Sequence, residues 1–157
     1  MKKEIIVMRY VASIMFLFVF ANLSYAGGNI EVTDAWVREV PPASTVTAVY
    51  LKIENKGEKT DKVTGVSTDI AEKAQIHTTS VDDKGVAKME MQNDLEIPPG
   101  ETIELKPGGT HIMLIDLKEP VTGKDEVELE LMFEKAGEVE VEAHVMGLDD
   151  DQGGHHH

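Results

Sequence analysis

The sequence predicts an all-β domain, an antiparallel sandwich or barrel of eight to ten short strands. Three observations predict it. Apolar and polar residues alternate with a period of two, as in Val127, Leu129, Leu131 and Phe133 against Glu126, Glu128 and Glu130. Turn signals rich in Gly, Pro, Asn and Asp interrupt these runs at short intervals. Beyond residue 26 no long helical pattern runs through the chain.

In chain order, residues 1–26 read as a removable export signal. Lys2, Lys3 and Arg9 form its basic start, residues 11–21 its apolar stretch, and Ser24-Tyr25-Ala26 a cleavage site before Gly27. Even extended to Leu23, the apolar stretch is shorter than the roughly 20 residues of a spanning helix. A retained anchor is the alternative. A lipid anchor is not expected, since the sequence has no cysteine to acylate. Residues 27–148 then form one domain, long enough to fold without staples. Its first clear strand alternates Thr47, Val49, Leu51 and Ile53. Turns follow at Asn55-Lys56-Gly57, Asp82-Asp83-Lys84-Gly85, Pro98-Pro99-Gly100 and Pro107-Gly108-Gly109. Lys135-Ala136-Gly137 joins the Val127–Phe133 run to another that alternates Val139, Val141, Ala143 and Val145 with Glu138, Glu140 and Glu142. Residues 149–157 form a flexible tail, Asp149 to Asp151 followed by His155 to His157.

The formal net charge is −14. Removal of Lys2, Lys3, Arg9 and Glu4 with the signal leaves 12 basic and 28 acidic residues, a net of −16. Nucleic acid is excluded as a partner by the sign of that charge, and anionic membrane surfaces repel it, so no stable membrane insertion is expected after signal cleavage. A basic partner or a cation is favoured instead. Without cysteine in an exported chain, soft-metal chemistry falls to thioether sulfur and imidazole.

His111-Ile112-Met113 opens an apolar strand after the Pro107-Gly108-Gly109 turn. Residues i and i+2 of a strand share a face with Cα atoms about 6.5–7 Å apart, so this imidazole and thioether can converge on one ion. Such donors select Cu(I) over Zn(II) or Mg(II). Alone, the pair reads equally as a core methionine beside a surface histidine. In Ala74-Gln75-Ile76-His77-Thr78-Thr79, His77 lies on the polar face with Gln75 and Thr79. Met89 and Met91 share a face in the 86–92 segment and could pack in the core, or Met91 could replace Met89 as a donor. Met132 reads as core filler. His144-Val145-Met146 reads as outer surface, with an accessory metal site as the alternative. Trp36 reads as a residue pinning two sheets together, with a place near the metal site as the alternative. His155–His157, helped by Asp149–Asp151, would bind Cu(II) or Zn(II) weakly, or be a tag remnant.

The arrangement His77, one residue, ten residues, Met89, twenty-one residues, His111, one residue, Met113 resembles the signature of the periplasmic copper chaperone A family. Flanking segments resemble it as well: Asp34-Ala35-Trp36-Val37-Arg38, Pro41-Pro42, Ala48-Val49-Tyr50-Leu51, Ile53 to Gly57, Ile97-Pro98-Pro99-Gly100, Leu105 to Leu114, and Phe133 to Glu138. The likeness spans nearly all of residues 30–146. It implies a cupredoxin-like, antiparallel Greek-key β-sandwich. It implies Cu(I) on His77, Met89, His111 and Met113, and a metallochaperone that delivers copper in the periplasm. The acceptor implied is the copper subunit of cytochrome c oxidase or a thioredoxin-like copper chaperone. Thr78 departs from the family, which often has methionine there, and removes a spare thioether.

These ligand types suit a carrier in an oxidising compartment, because thioethers escape the disulfide chemistry of thiolates. Binding is expected to weaken below about pH 6.5 as imidazoles protonate, and to be lost when the methionines become sulfoxides. Two other classes compete. A copper-dependent redox enzyme finds no nucleophile–base motif, no thiolate for a blue-copper centre, and no open position beside four protein ligands. A structural or adhesive β-sandwich, its histidines and methionines incidental, is compatible with the fold alone.

Overall fold

A computed structural model describes residues 28–147. The signal read at 1–26 and the tail read at 149–157 lie outside the described residues. Ten strands and no helix occur within them: β1 (Ile30–Arg38), β2 (Val46–Asn55), β3 (Asp61–Ser67), β4 (Ala71–Val81), β5 (Ala87–Gln92), β6 (Leu95–Ile97), β7 (Thr102–Leu105), β8 (Thr110–Leu117), β9 (Glu126–Phe133) and β10 (Gly137–Met146).

Their neighbour order is β5-β4-β8-β2-β1-β10-β9-β3-β6, with β7 on β2. A pairing of Val66 with Ala74 joins β3 to β4, so the seven strands from β4 round to β3 close into a ring. The expected sandwich is thus a barrel-like sheet. Its pairings are antiparallel except that of β1 with β10, which is parallel.

Alternation along the strands decides which side faces the core. In β9, Val127, Leu129, Leu131 and Phe133 are buried and the residues between them exposed. In β10, Val139, Val141 and Ala143 are buried, and β2 turns Thr47, Val49, Leu51 and Ile53 inward. Full burial of each such aliphatic side chain stabilises the fold by about 1.5–3 kcal/mol. The outer face of β9 and β10 is a carboxylate surface, with Glu130 opposite Glu140 and Glu128 opposite Glu142. Asp61 and Asn55, both buried, pin the turns at one end. Asp61 accepts the backbone N–H groups of Lys62, Lys135 and Ala136. Asn55 donates to the carbonyls of Lys59 and Ile97 and accepts from the N–H of Gly57.

Two expectations need correction. Met132 is not core filler. It falls between the inward residues Leu131 and Phe133, so strict alternation puts it outside, 41% exposed and beside Gly65. Trp36 does not pin two sheets. The register of β1 on β2 slips by one residue between Thr33 and Trp36, where Asp34 adopts φ 52°. This is a β-bulge, built on a residue type that tolerates the left-handed region. Ile30 and Val32 lie in register with β2 before it, and beyond it Val37, not Trp36, takes the inward position, fully buried. The parity of the strand is inverted, and Trp36 and Arg38 move to the outer face.

Candidate metal centre

Two hairpins bring the predicted donors together. The β4–β5 turn is held by Asp82, whose carboxylate accepts the N–H groups of Lys84 and Val86, and Gly85 takes the positive φ the turn requires. This fixes the register of β5 on β4, with Met91 opposite His77 and Met89 opposite Thr79. The Pro107-Gly108-Gly109 turn folds β8 back from β7, with Gly108 at φ 79°. Strand β8 then pairs with β4 so that His111 lies directly opposite His77 and Met113 opposite Gln75. Directly paired residues of antiparallel strands project from the same face. His77, His111, Met113, Met89 and Met91 therefore share one outer face of the sheet, across three adjacent strands.

The two imidazoles are stacked, with centroids 6.1 Å apart and planes at 29°. With metal–nitrogen bonds of about 2.0 Å, two imidazoles on one ion span at most about 6 Å between centroids, so the rings stand at the edge of that reach. His111 is 6% exposed. Its Nδ1–H donates to the carbonyl of Gly109 at 3.1 Å, which leaves the Nε2 lone pair free. That carbonyl also accepts the N–H of Thr79 at 3.2 Å, so the turn that precedes His111 also grips the strand carrying His77. The Nε2–H of His77 donates to Oε1 of Gln75 at 3.2 Å. Its Nδ1 is buried with no hydrogen-bond partner. An orphaned buried lone pair is costly, and a soft metal ion is one partner that would satisfy it. Burial, and then the neighbouring His111, push the His77 pKa down, which keeps the ring neutral. The thioethers form the outer rim: Met113 is half-buried, while Met89 and Met91 are 51% and 54% exposed.

Behind His111 lies an aromatic layer, and it places Trp36 near the site, the alternative to pinning two sheets. The Tyr50 ring, 5% exposed, is 6.3 Å from that of His111. Trp36 tilts against Tyr50 at 4.5 Å, and the Arg38 guanidinium lies 5.6 Å above the Tyr50 ring. Val49 opposite Ile112 places Tyr50 beside His111, and the spacing Trp36-x-Arg38 in β1 puts both on that face once the bulge is known. His144 and Met146 share the outer face but stand on β10, three strands from β8, a span of about 14 Å. They cannot join His111 on one ion. Nδ1 of His144 instead lies 3.1 Å from Oε1 of Glu126, both well exposed. Among the described residues, no three His, Cys, Asp or Glu side chains cluster as a metal site, so any centre here depends on thioether sulfur.

Residues 30–145 match the family described as "Putative lipoprotein LpqE-like". The chain belongs to the LpqE-like family. A relative in Leifsonia xyli subsp. xyli, "Putative lipoprotein Lxx21020", is 33% identical over 105 residues, 67% of this chain and 62% of its own length. The chain thus spans less than two thirds of that protein. Among solved structures, the copper-bound PCuAC domain from PmoF2 superposes with a TM-score of 0.67 at 27% identity, over 78% of this chain and 97% of that one. The solution structure of Cu(I)-DR1885 from Deinococcus radiodurans gives 0.57 at 32% identity, over 71% and 74%. This LpqE-like chain therefore has the cupredoxin-like β fold of the PCuAC copper chaperone family, as its His/Met signature led one to expect.

Proposed function

We propose that this protein is an extracytoplasmic Cu(I) carrier that holds one ion on His77, Met89, His111 and Met113 and passes it to a copper-accepting protein. The observation that carries the reading is the direct pairing of His77 with His111, the first with an unpartnered buried Nδ1 and the second with a free Nε2, beside thioethers on the same face. Two neutral imidazoles and two thioethers form a soft, uncharged donor set suited to Cu(I). Four protein donors leave no open coordination position, which favours carriage over catalysis. The copper-bound PmoF2 domain and the Cu(I) form of DR1885 support the same reading. So does the lipoprotein description of the relatives, which suits a location outside the cytoplasm. The acceptor class we favour is a thiolate-rich copper centre, such as the copper subunit of cytochrome c oxidase or a thioredoxin-like copper chaperone. Thiolates bind Cu(I) more tightly than thioethers, so transfer runs downhill.

The test is an anaerobic Cu(I) titration against a competing chelator, on the chain with and without residues 149–157. One tight equivalent, retained without the tail and lost in His111→Ala, is expected. Absence of a tight site in the intact chain would refute the proposal.

A further inference from the structure

Met91 stands outside the four-residue signature, yet the register gives it a closer relation to His77 than Met89 has. Met91 is the direct cross-strand partner of His77, whereas Met89 is paired with Thr79, one step along. Directly opposed side chains have Cβ atoms about 4.5–5.5 Å apart, and diagonal neighbours stand about 7–8 Å apart. Read across the sheet, β5, β4 and β8 present the row Met91–His77–His111. Met113 flanks that row at one end and Met89 at the other. Met91 does not serve the core, since it is 54% exposed and lies on the terminal strand of the neighbour order. Met91 lines a cleft with Val66 and Ala74 but stays half-exposed there, and an exposed apolar edge is otherwise a liability.

We propose that Met91 is a fifth copper donor that alternates with Met89 on the same ion. The inference rests on the copper-carrier reading. His77, His111 and Met113 form the fixed part of the site, and the fourth position is shared. In the exchange the bond from Met89 Sδ to copper breaks first, leaving the ion on three donors, and the bond from Met91 Sδ then forms. Both are neutral thioethers, so the ion stays Cu(I), no electron moves and no proton is needed. The exchange occurs at the most exposed side of the site, on the strand beyond which no other described strand pairs. A briefly three-coordinate ion at that edge is open to an incoming acceptor sulfur.

The experiment uses the full chain loaded with one equivalent of Cu(I), with Met89→Leu, Met91→Leu and the double variant. Exposed Met→Leu changes on an edge strand leave the fold intact. Chelator competition gives the affinity, and the ε-methyl carbon signals of the methionines report which sulfurs meet the ion. Each single variant is expected to lose no more than about tenfold in affinity, and the double variant about 100-fold or more, because either thioether covers for the other. Both the Met89 and the Met91 methyl signals shift on copper addition. The proposal is overturned if the Met91 signal stays fixed while those of Met89 and Met113 move, or if the double variant binds no worse than Met89→Leu. Failure of the carrier reading looks different, because the unaltered chain then takes up no tight equivalent at all.

Discussion

Replacing Met113 with leucine separates copper binding from folding. The side chain is half-buried on β8, opposite Gln75 and two residues from His111. Leucine nearly matches methionine in volume, so the change in folding stability should stay below about 1.5 kcal/mol. The sulfur, in contrast, is lost outright. Removing only the hydrogen-bond partner of a metal ligand weakens binding about 10–100-fold, so losing a ligand should reach at least the upper end. A 100-fold loss corresponds to about 2.7 kcal/mol. Unlike Met89, Met113 has no neighbouring thioether to take its place, since Gln75 and Ala48 are its cross-strand partners. The assay is anaerobic competition between the protein and a Cu(I) chelator, paired with urea unfolding of the copper-free form. Met132→Leu, on the outer face of β9, serves as the matched control. A Met113→Leu protein that binds Cu(I) within threefold of the parent chain would refute the assignment and the reasoning from shared face to shared ion.

Three further outcomes follow from the same structure. The lowered pKa of His77, caused first by burial and then by His111, means that the unfolded chain takes up this proton before the folded one does. Stability of the copper-free protein therefore falls as pH drops from about 6.5 toward the lower folded-state pKa, while this group has no effect above that range. Urea midpoints between pH 7 and 5.5 check the slope, which should shrink in His77→Gln; an unchanged slope in that variant contradicts the account. Asp61→Ala orphans three backbone N–H groups at the buried turn and should destabilise by about 3 kcal/mol or more, whereas a loss under 1 kcal/mol would show that water replaces the carboxylate. Trp36 is the sole tryptophan and touches Tyr50, itself beside His111; two strand spacings, about 10 Å, separate its strand from that of His111. Cu(I) should therefore change its emission in the parent chain and leave it unchanged in His111→Ala.

Much of this was legible in the sequence because a strand has a period of two. The alternation in residues 126–145 located β9 and β10 and their turn, and Gln75/His77/Thr79 against Ala74/Ile76 placed His77 on the outer face. The Asp82–Gly85 and Pro107–Gly109 turns also stand where expected. Register between strands was not legible, since it depends on long-range pairing. The sequence could therefore not tell that Met91, rather than Met89, faces His77, nor that β3 meets β4 and closes the ring. The bulge at Asp34 was hidden for a related reason. One residue with positive φ inverts the faces of everything after it, and Asp marks that conformation only weakly. That single inversion carried Trp36 from an expected place between sheets to a place behind the site. Met132 departs from its expectation for a simpler reason: in a strict alternation, position outweighs hydrophobic character.

The paired carboxylates of β9 and β10 have a consequence for how the molecule meets others. In the ring they lie across the barrel from β4 and β8, and facing like charges repel one another along that wall. The molecule is therefore electrically two-sided. A strongly cationic surface draws in the glutamate wall and holds the methionine rim away from itself. Long-range attraction of that kind turns the methionine rim outward, and moderate salt frees the molecule to turn.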